Sequence, residues 1–210
     1  MALFACQRPA PDASNAPPPV QAVRPGAPGQ PATDVAPATA AAPVARHTKA
    51  DVTFMQHMIH HHAQAIEMVA LMKARTKRPD LKMLGERIDV SQTDEIKMMQ
   101  TWLTDRGEEV PMDHGRGQMM VQGAMMTAMP GMLSPAQMAA LEKAAGPAID
   151  RLFLTGMIQH HEGALAMVEE LLKSPGAALE SIMFDFISHV DADQRMEIGR
   201  MRRLLAKDKS

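Results

Sequence analysis

Two stretches, DVTFMQHMIHHHAQAIEMV (51–69) and DRLFLTGMIQHHEGALAMV (150–168), align without a gap and share the pattern D-x-x-F-x-x-x-M-I-x-H-H-x-x-A-x-x-M-V. A second pair, DVSQTDEIKMMQTWL (89–103) and DADQRMEIGRMRRLL (191–205), shares D-x-x-Q-x-x-E-I-x-x-M-x-x-x-L. Self-similarity of this kind indicates a structural unit that occurs more than once in the chain. The sequence therefore contains the same two-part unit twice.

Each repeat has the pattern of two helices joined by a short turn. The segments TKRPD (76–80) and KSPG (173–176) separate the two motifs of each repeat, and their prolines prevent the first helix from continuing. Two such hairpins predict a four-helix bundle, which is an all-α fold. We expect the repeats to span about 50–106 and 147–207, within a folded domain of residues 47–210.

The composition excludes several classes of function. The formal net charge is −2 and the sequence has no long basic run, so neither nucleic acid nor an anionic membrane surface is an expected partner. Aromatic residues make up 3% of the chain and Tyr is absent, which leaves no stacking platform for bases. Methionine is the outlier, with 21 residues in a chain of 210.

Residues 1–46 differ in composition from the rest of the chain. Ten of the sixteen prolines lie in 8–46, and such a stretch is typical of a disordered, semi-extended linker. Cys6 follows Leu3-Phe4-Ala5, which resembles a bacterial lipoprotein box, although the charged and apolar segments of a signal peptide are missing. Two interpretations stay open. One is a lipid anchor at Cys6 in the periplasm or cell envelope, and the other is a chance cysteine in a tail.

Residues 107–133 connect the repeats and are rich in Gly and Met. We expect a long crossover with broken helical turns, followed by a helix that Ser134 caps, with Gln137 at the capping-box position. Gly146-Pro147 is expected to end or kink this helix before the second repeat. The crossover side chains lie where no core is evident, so they are candidates for metal ligands or for an apolar interaction surface: Met112, His114, Met119, Met120, Met125 and Met126.

The helical period predicts where the histidines of the repeats point. A stripe of Phe, Met, His and Ala runs along the first helix of each repeat, and its apolar members indicate that it faces the core. His61 and His160 lie on this stripe, whereas His62 and His161 lie at its edge. A buried imidazole needs a hydrogen-bond partner or a metal. A lone histidine would usually be a hydrogen-bonded core residue, but recurrence at the same phase in both repeats favours a metal site.

The neighbouring side chains favour a soft metal ion. Thioethers together with imidazoles favour Cu(I), which Ag(I) mimics, whereas zinc prefers cysteine, histidine or carboxylate ligands, and carboxylates are absent from the stripe. A di-iron bundle would need Glu-x-x-His pairs, and the sequence contains none. Methionine is also a common core filler, so packing stays an alternative for each thioether. The candidate ligands within the bundle are His57, Met58, His61, His62, Met68, Met157, His160, His161 and Met167.

These motifs resemble the bacterial domain-of-unknown-function family 305 (DUF305). FMQHMIHHHAQAIEMV and FLTGMIQHHEGALAMV, each followed by a Q-x-x-E-I-x-x-M helix, carry the resemblance, which covers about 50–205. It implies a ferritin-like four-helix bundle that is exported or membrane-tethered, in a family that includes copper-binding proteins of the CopM type. His57 and His60 are additional in this chain, since the second repeat has Gly156 and Gln159 there. The ligands that the resemblance implies are Met58, His61, His62, Met68, Met157, His160, His161 and Met167.

Together these features predict a cell-envelope protein that sequesters or transfers Cu(I) without catalysis of its own. Its expected partners are the metal ion and a copper-handling envelope protein; the sequence does not determine the oligomeric state. Two alternatives stay open. One is a ferritin-like metalloenzyme, which inward carboxylates beside His61 or His160 would favour. The other is a metal-free helical interaction module whose Met-rich crossover binds apolar partners.

Overall fold

The chain divides into two units, Met1–Val44 and Ala45–Ser210. In the first unit, strands β1 (Ala22–Arg24) and β2 (Thr33–Val35) pair antiparallel. Cys6, at which the lipid anchor is predicted, lies outside the described residues. The computed structural model describes residues 22–24, 33–35, 47–113, 119–121, 124–125 and 129–207.

The second unit is built from helices, and the predicted all-α four-helix bundle is confirmed. Helices α1 (Lys49–Lys73) and α2 (Pro79–Asp105) form the first hairpin. Helices α4 (Pro147–Lys173) and α5 (Ser181–Lys207) form the second, and the short α3 (Pro135–Lys143) precedes it. None of the described helices is long and apolar enough to cross a bilayer.

Capping boxes fix where two of the helices, α1 and α3, begin. The Ser134 hydroxyl and the Gln137 side chain form the predicted capping box of α3. Thr48 and Asp51 form another at α1, where Asp51 Oδ2 accepts the Thr48 N–H at 2.7 Å. The other Asp51 oxygen accepts the Ala178 N–H at 2.8 Å. This buried carboxylate therefore caps α1 and also fastens the α4–α5 loop to it.

The crossover differs from its predicted form. Instead of broken helical turns, its described residues form the short antiparallel strands β3 (Met112–Asp113), β4 (Met119–Val121) and β5 (Ala124–Met125). The prediction of helical turns is wrong here because a helix needs an uninterrupted run of residues to offset its costly first turn. Short segments separated by glycines cannot supply that run, whereas a strand needs only a paired neighbour.

The bundle core consists of two apolar clusters, one toward each end. Residues 54–59 of α1 and 164–171 of α4 belong to one cluster, whereas 65–72 of α1 and 149–157 of α4 contribute to the other. The two helices therefore run antiparallel, and their middle segments meet between the clusters. The motif histidines of both repeats lie in these middle segments.

The connector 129–133 lies directly on the bundle. Gln64 of α1 donates to the Leu133 carbonyl at 3.0 Å and accepts the Leu133 N–H at 2.7 Å. Gln159 of α4 donates to the Gly131 carbonyl at 3.2 Å. A Cβ built on Gly163 would lie 2.0 Å from the Pro130 carbonyl oxygen. The backbone of α4 and that of the connector therefore touch, and only glycine fits at position 163.

Candidate metal site

Four histidines form a buried layer in the middle of the bundle. His61 and His62 are 0% exposed, His160 is 1% exposed and His161 is 0% exposed. The inward orientation predicted for His61 and His160 agrees with this burial. His62 and His161, predicted at the edge of the apolar stripe, are buried as well, because α2 and α5 cover that flank of the first helices. We call these four residues the histidine layer.

Every ring of the histidine layer makes one hydrogen bond through Nε2. His62 Nε2 donates to Glu95 Oε2 at 2.5 Å, and His161 Nε2 donates to Glu197 Oε2 at 2.7 Å. His61 Nε2 donates to the Pro130 carbonyl at 3.0 Å, and His160 Nε2 donates to the His61 carbonyl at 2.9 Å. All four acceptors are carbonyl or carboxylate oxygens.

These acceptors determine the tautomer of each neutral ring. A neutral imidazole carries one proton, and the oxygen facing Nε2 requires that proton to be there. In the neutral form of a ring, Nδ1 is then a bare lone pair. In the part of the chain that the structure describes, these four Nδ1 atoms are buried and have no hydrogen-bond partner. A buried acceptor without a donor is costly, and a metal ion is one group that can satisfy it.

The rings also contact each other across the two repeats. The ring centroids of His61 and His160 are 3.8 Å apart. Burial, and next the neighbouring His62, lower the pKa of His61 to about 3. Burial, and next His61, lower the pKa of His160 well below its ordinary value. Both rings are therefore neutral at neutral pH, which is the form that binds metals.

Thioethers lie on both sides of the histidine layer. Met58 and Met157 each precede the paired histidines by one helical turn, as the sequence predicts. The two repeats share three methionine positions, which gives six residues, and each apolar cluster contains three of these six methionines. One cluster contains Met58, Met99 and Met167, and the other contains Met157, Met68 and Met201.

The arrangement limits what could be bound in this layer. Within the described residues, no three His, Cys, Asp or Glu side chains surround a common point that could hold a metal. The donor sets that the layer and its neighbours offer are two imidazoles, or imidazoles with thioethers. Soft monovalent ions such as Cu(I) accept such a donor set, whereas hard ions need more oxygen ligands.

Glu95 and Glu197 are functional candidates that sequence reasoning missed. Their side chains are only 17% and 7% exposed, and each accepts an N–H group of the layer. They therefore hold imidazoles in place, as carboxylates do behind metal-ligating histidines. The signal was available, because both repeats share a glutamate at the same position of the second helix.

The remaining candidates lie elsewhere. His57 is half-buried beside a surface pocket, where burial, and next His60, lower its pKa. Met112 is exposed on β3. The strand register pairs Met112 with Met120 and Met120 with Met125. Met119 lies on β4, opposite Asp113. His114 and Met126 lie outside the described residues.

Comparison with known proteins assigns the chain to a family. The model of the domain of unknown function DUF305 matches residues 51–205, which contain both repeats. The chain belongs to the DUF305 family. The predicted resemblance is thereby confirmed. None of the curated proteins is significantly similar to the chain.

Solved structures of two DUF305 proteins and of CopM share the fold. A Streptomyces coelicolor DUF305 protein described as secreted is 25% identical with a TM-score of 0.65, over 77% of this chain and 94% of that one. A DUF305 fragment from Deinococcus radiodurans is 30% identical with a TM-score of 0.63, over 77% and 98%. CopM in its Cu(I)-bound form is 26% identical with a TM-score of 0.59, over 76% and 98%. CopM has also been solved with Cu(II) and with silver.

Proposed function

We propose that this DUF305 protein binds Cu(I) and sequesters or transfers it. The observation that carries this proposal is the set of four buried Nδ1 atoms that have no hydrogen-bond partner among the described residues. Each ring is held through Nε2, so the free nitrogen has a fixed direction before any metal arrives. The thioethers of Met58, Met68 and Met157 are the proposed additional donors in the layer, and Glu95 and Glu197 orient the rings of His62 and His161.

The choice of metal follows from the donors and from the structural relatives. Imidazole and thioether favour Cu(I) over zinc or magnesium. CopM, which is similar in fold and 26% identical, has been solved with Cu(I) bound. The two layer carboxylates accept hydrogen bonds from histidines, which is a supporting role and differs from that of the bridging ligands in a di-iron enzyme. We therefore favour metal binding over the enzymatic alternative.

We propose an envelope location for this activity. The support is the Streptomyces relative described as secreted, together with the lipoprotein-box-like segment that ends at Cys6. Methionine ligands suit such a compartment, because an oxidising environment converts paired thiols to disulfides and thioethers do not form them. A lipid anchor at Cys6 would then keep the copper-binding domain at the membrane, near a copper-handling envelope protein.

Changing both His61 and His160 to Ala is expected to weaken Cu(I) binding by roughly 100-fold or more at the bundle site, since loss of supporting residues alone typically costs 10- to 100-fold. Helix content should be retained because no helix cap is altered. The measurement is competition with a Cu(I) chelator, combined with circular dichroism. His189→Ala, at an exposed histidine outside the layer, is the matched control. Wild-type stoichiometry in the double variant would refute the assignment.

We also propose that the crossover methionines bind copper. The register that pairs Met112, Met120 and Met125 brings three methionine backbones side by side across β3–β5. Changing Met119, Met120, Met125 and Met126 to Leu removes four thioethers while keeping size and apolarity. We expect copper capacity to fall, while stability changes by less than about 1.5 kcal/mol. Equilibrium dialysis and thermal unfolding measure the two effects. Unchanged capacity with loss of a protein partner would favour the interaction module.

A further inference from the structure

A surface pocket of about 410 Å³ lies between the N-terminal half of α1 and the C-terminal half of α4. Its walls are mostly apolar, and the connector residues Met129 and Pro130 form part of them. Besides the Glu170 carboxylate, three side chains with metal-ligating nitrogen or sulfur atoms line it, namely His57 from α1, Met129 from the connector and Met167 from α4. Met129 and Met167 are only 7% and 8% exposed, so their thioethers lie inside the pocket wall.

In the second repeat, a side chain fills the space that is equivalent to this pocket. Gly156 is the repeat equivalent of His57, and Met68 is the equivalent of Met167. A Cβ built on Gly156 would lie 3.3 Å from Met68 Cε and 3.1 Å from Leu133 Cδ2. Leu133 therefore occupies the space above Gly156, whereas at the other end of the bundle the space next to His57 is open.

The repeat relation also brings the donor atoms together. Because Met68 Cε lies beside position 156, the thioether of Met167 is expected beside position 57, where this chain has an imidazole. Met129 adds a second sulfur from the connector. One imidazole and two thioethers in an apolar pocket suit a soft ion with few ligands. Lys49 and Glu170 supply one charge of each sign and so no net charge to attract hard divalent cations.

We propose that His57, Met129 and Met167 form a second, solvent-accessible site for a soft monovalent ion, Cu(I) or Ag(I). We call it the outer site. It adjoins the histidine layer through one residue, since Pro130, next to Met129, accepts the hydrogen bond of His61. Its role as the place where copper enters or leaves the bundle rests on the proposed function, whereas its existence as a site does not.

The outer site can be tested with Ag(I) and protein labelled with 13C at the methionine methyl groups. The Met129 and Met167 methyl signals, assigned from the single variants Met129→Leu and Met167→Leu, should shift within the first two equivalents of Ag(I). The double Met129→Leu, Met167→Leu variant should bind one equivalent less than wild type. Met83→Leu, at an exposed methionine of α2, is the matched control and should bind the wild-type amount.

This experiment can refute either proposed site without refuting the other. Unshifted Met129 and Met167 methyl signals, or wild-type stoichiometry in the double variant, would overturn the outer site. The same titration on the His61→Ala, His160→Ala variant tests the layer. If that variant still shows the Met129 and Met167 shifts, the outer site stands whether or not the layer binds copper.

Discussion

Acidification from pH 6.5 to pH 4 is expected to cost the metal-free protein about 3 kcal/mol of stability through His61, and more through His160. Each histidine whose folded-state pKa lies far below its unfolded value contributes up to about 1.4 kcal/mol per pH unit. Burial lowers the pKa of His61 to about 3 and that of His160 well below its ordinary value. A loss of this size is a large part of the stability of a typical domain.

The direction of this effect follows from proton binding. Below the unfolded pKa of about 6.5 the unfolded chain takes up protons at both rings, whereas the folded protein excludes them until the pH approaches the folded pKa. The stability contributed by the buried neutral rings is therefore complete above about pH 6.5. It is lost progressively as the pH falls below that value.

Urea unfolding at half-unit pH steps measures this loss. The His61→Gln, His160→Gln variant is the matched control, because glutamine keeps an N–H donor but does not titrate. Its stability should depend much less on pH between 6.5 and 4 than that of wild type. Equal slopes in both proteins would show that these imidazoles are not buried in the neutral form.

Gly163→Ala is expected to destabilise the protein by about 3 kcal/mol or more, which is at the upper end of the cost of overpacking. The new methyl group would lie 2.0 Å from the Pro130 carbonyl oxygen and 2.5 Å from Gly131 Cα, so backbone must move. That movement would also disturb the hydrogen bond from His61 Nε2 to the same carbonyl. Copper binding in the layer should therefore weaken together with stability.

Gly199→Ala provides the matched comparison for this substitution. Gly199 also lies inside a helix, but a Cβ there would meet only the Arg203 guanidinium at 3.5 Å. The gain in helix propensity should then dominate, stabilising the protein by about 0.5–1 kcal/mol. Urea unfolding of both variants measures the difference, which we expect to be about 4 kcal/mol. A similar stability for the two would mean that the connector does not pack on Gly163.

The sequence predicts the elements that depend on local periodicity. The repeated motif predicts two helical hairpins, and the prolines at 79 and 147 mark the starts of α2 and α4. The apolar stripe correctly orients His61 and His160, because a helix fixes the direction of every side chain relative to its neighbours on the same face.

Contacts between elements could not be predicted in the same way. The helical phase of α1 or α4 alone places His62 and His161 at the edge of the apolar stripe. Their burial follows from the packing of α2 and α5 against that flank. Glu95 lies 33 residues from His62 in the sequence, and Glu197 lies 36 residues from His161. No helical period encodes contacts over such separations. The prediction of helical turns in the crossover is wrong for a related reason, since a strand forms only with a pairing partner that lies elsewhere in the chain.

The histidine layer has a consequence for how such a protein could arise. Each hairpin contributes two histidines to the layer and one glutamate that accepts a hydrogen bond from it, and the contacting rings of His61 and His160 come from different hairpins. A free-standing hairpin would complete the layer only by associating with an identical copy as a twofold-symmetric homodimer. Gene duplication and fusion would make that assembly independent of protein concentration. It would also free the halves to diverge, as they have where His57 faces an open pocket and Gly156 lies under Leu133.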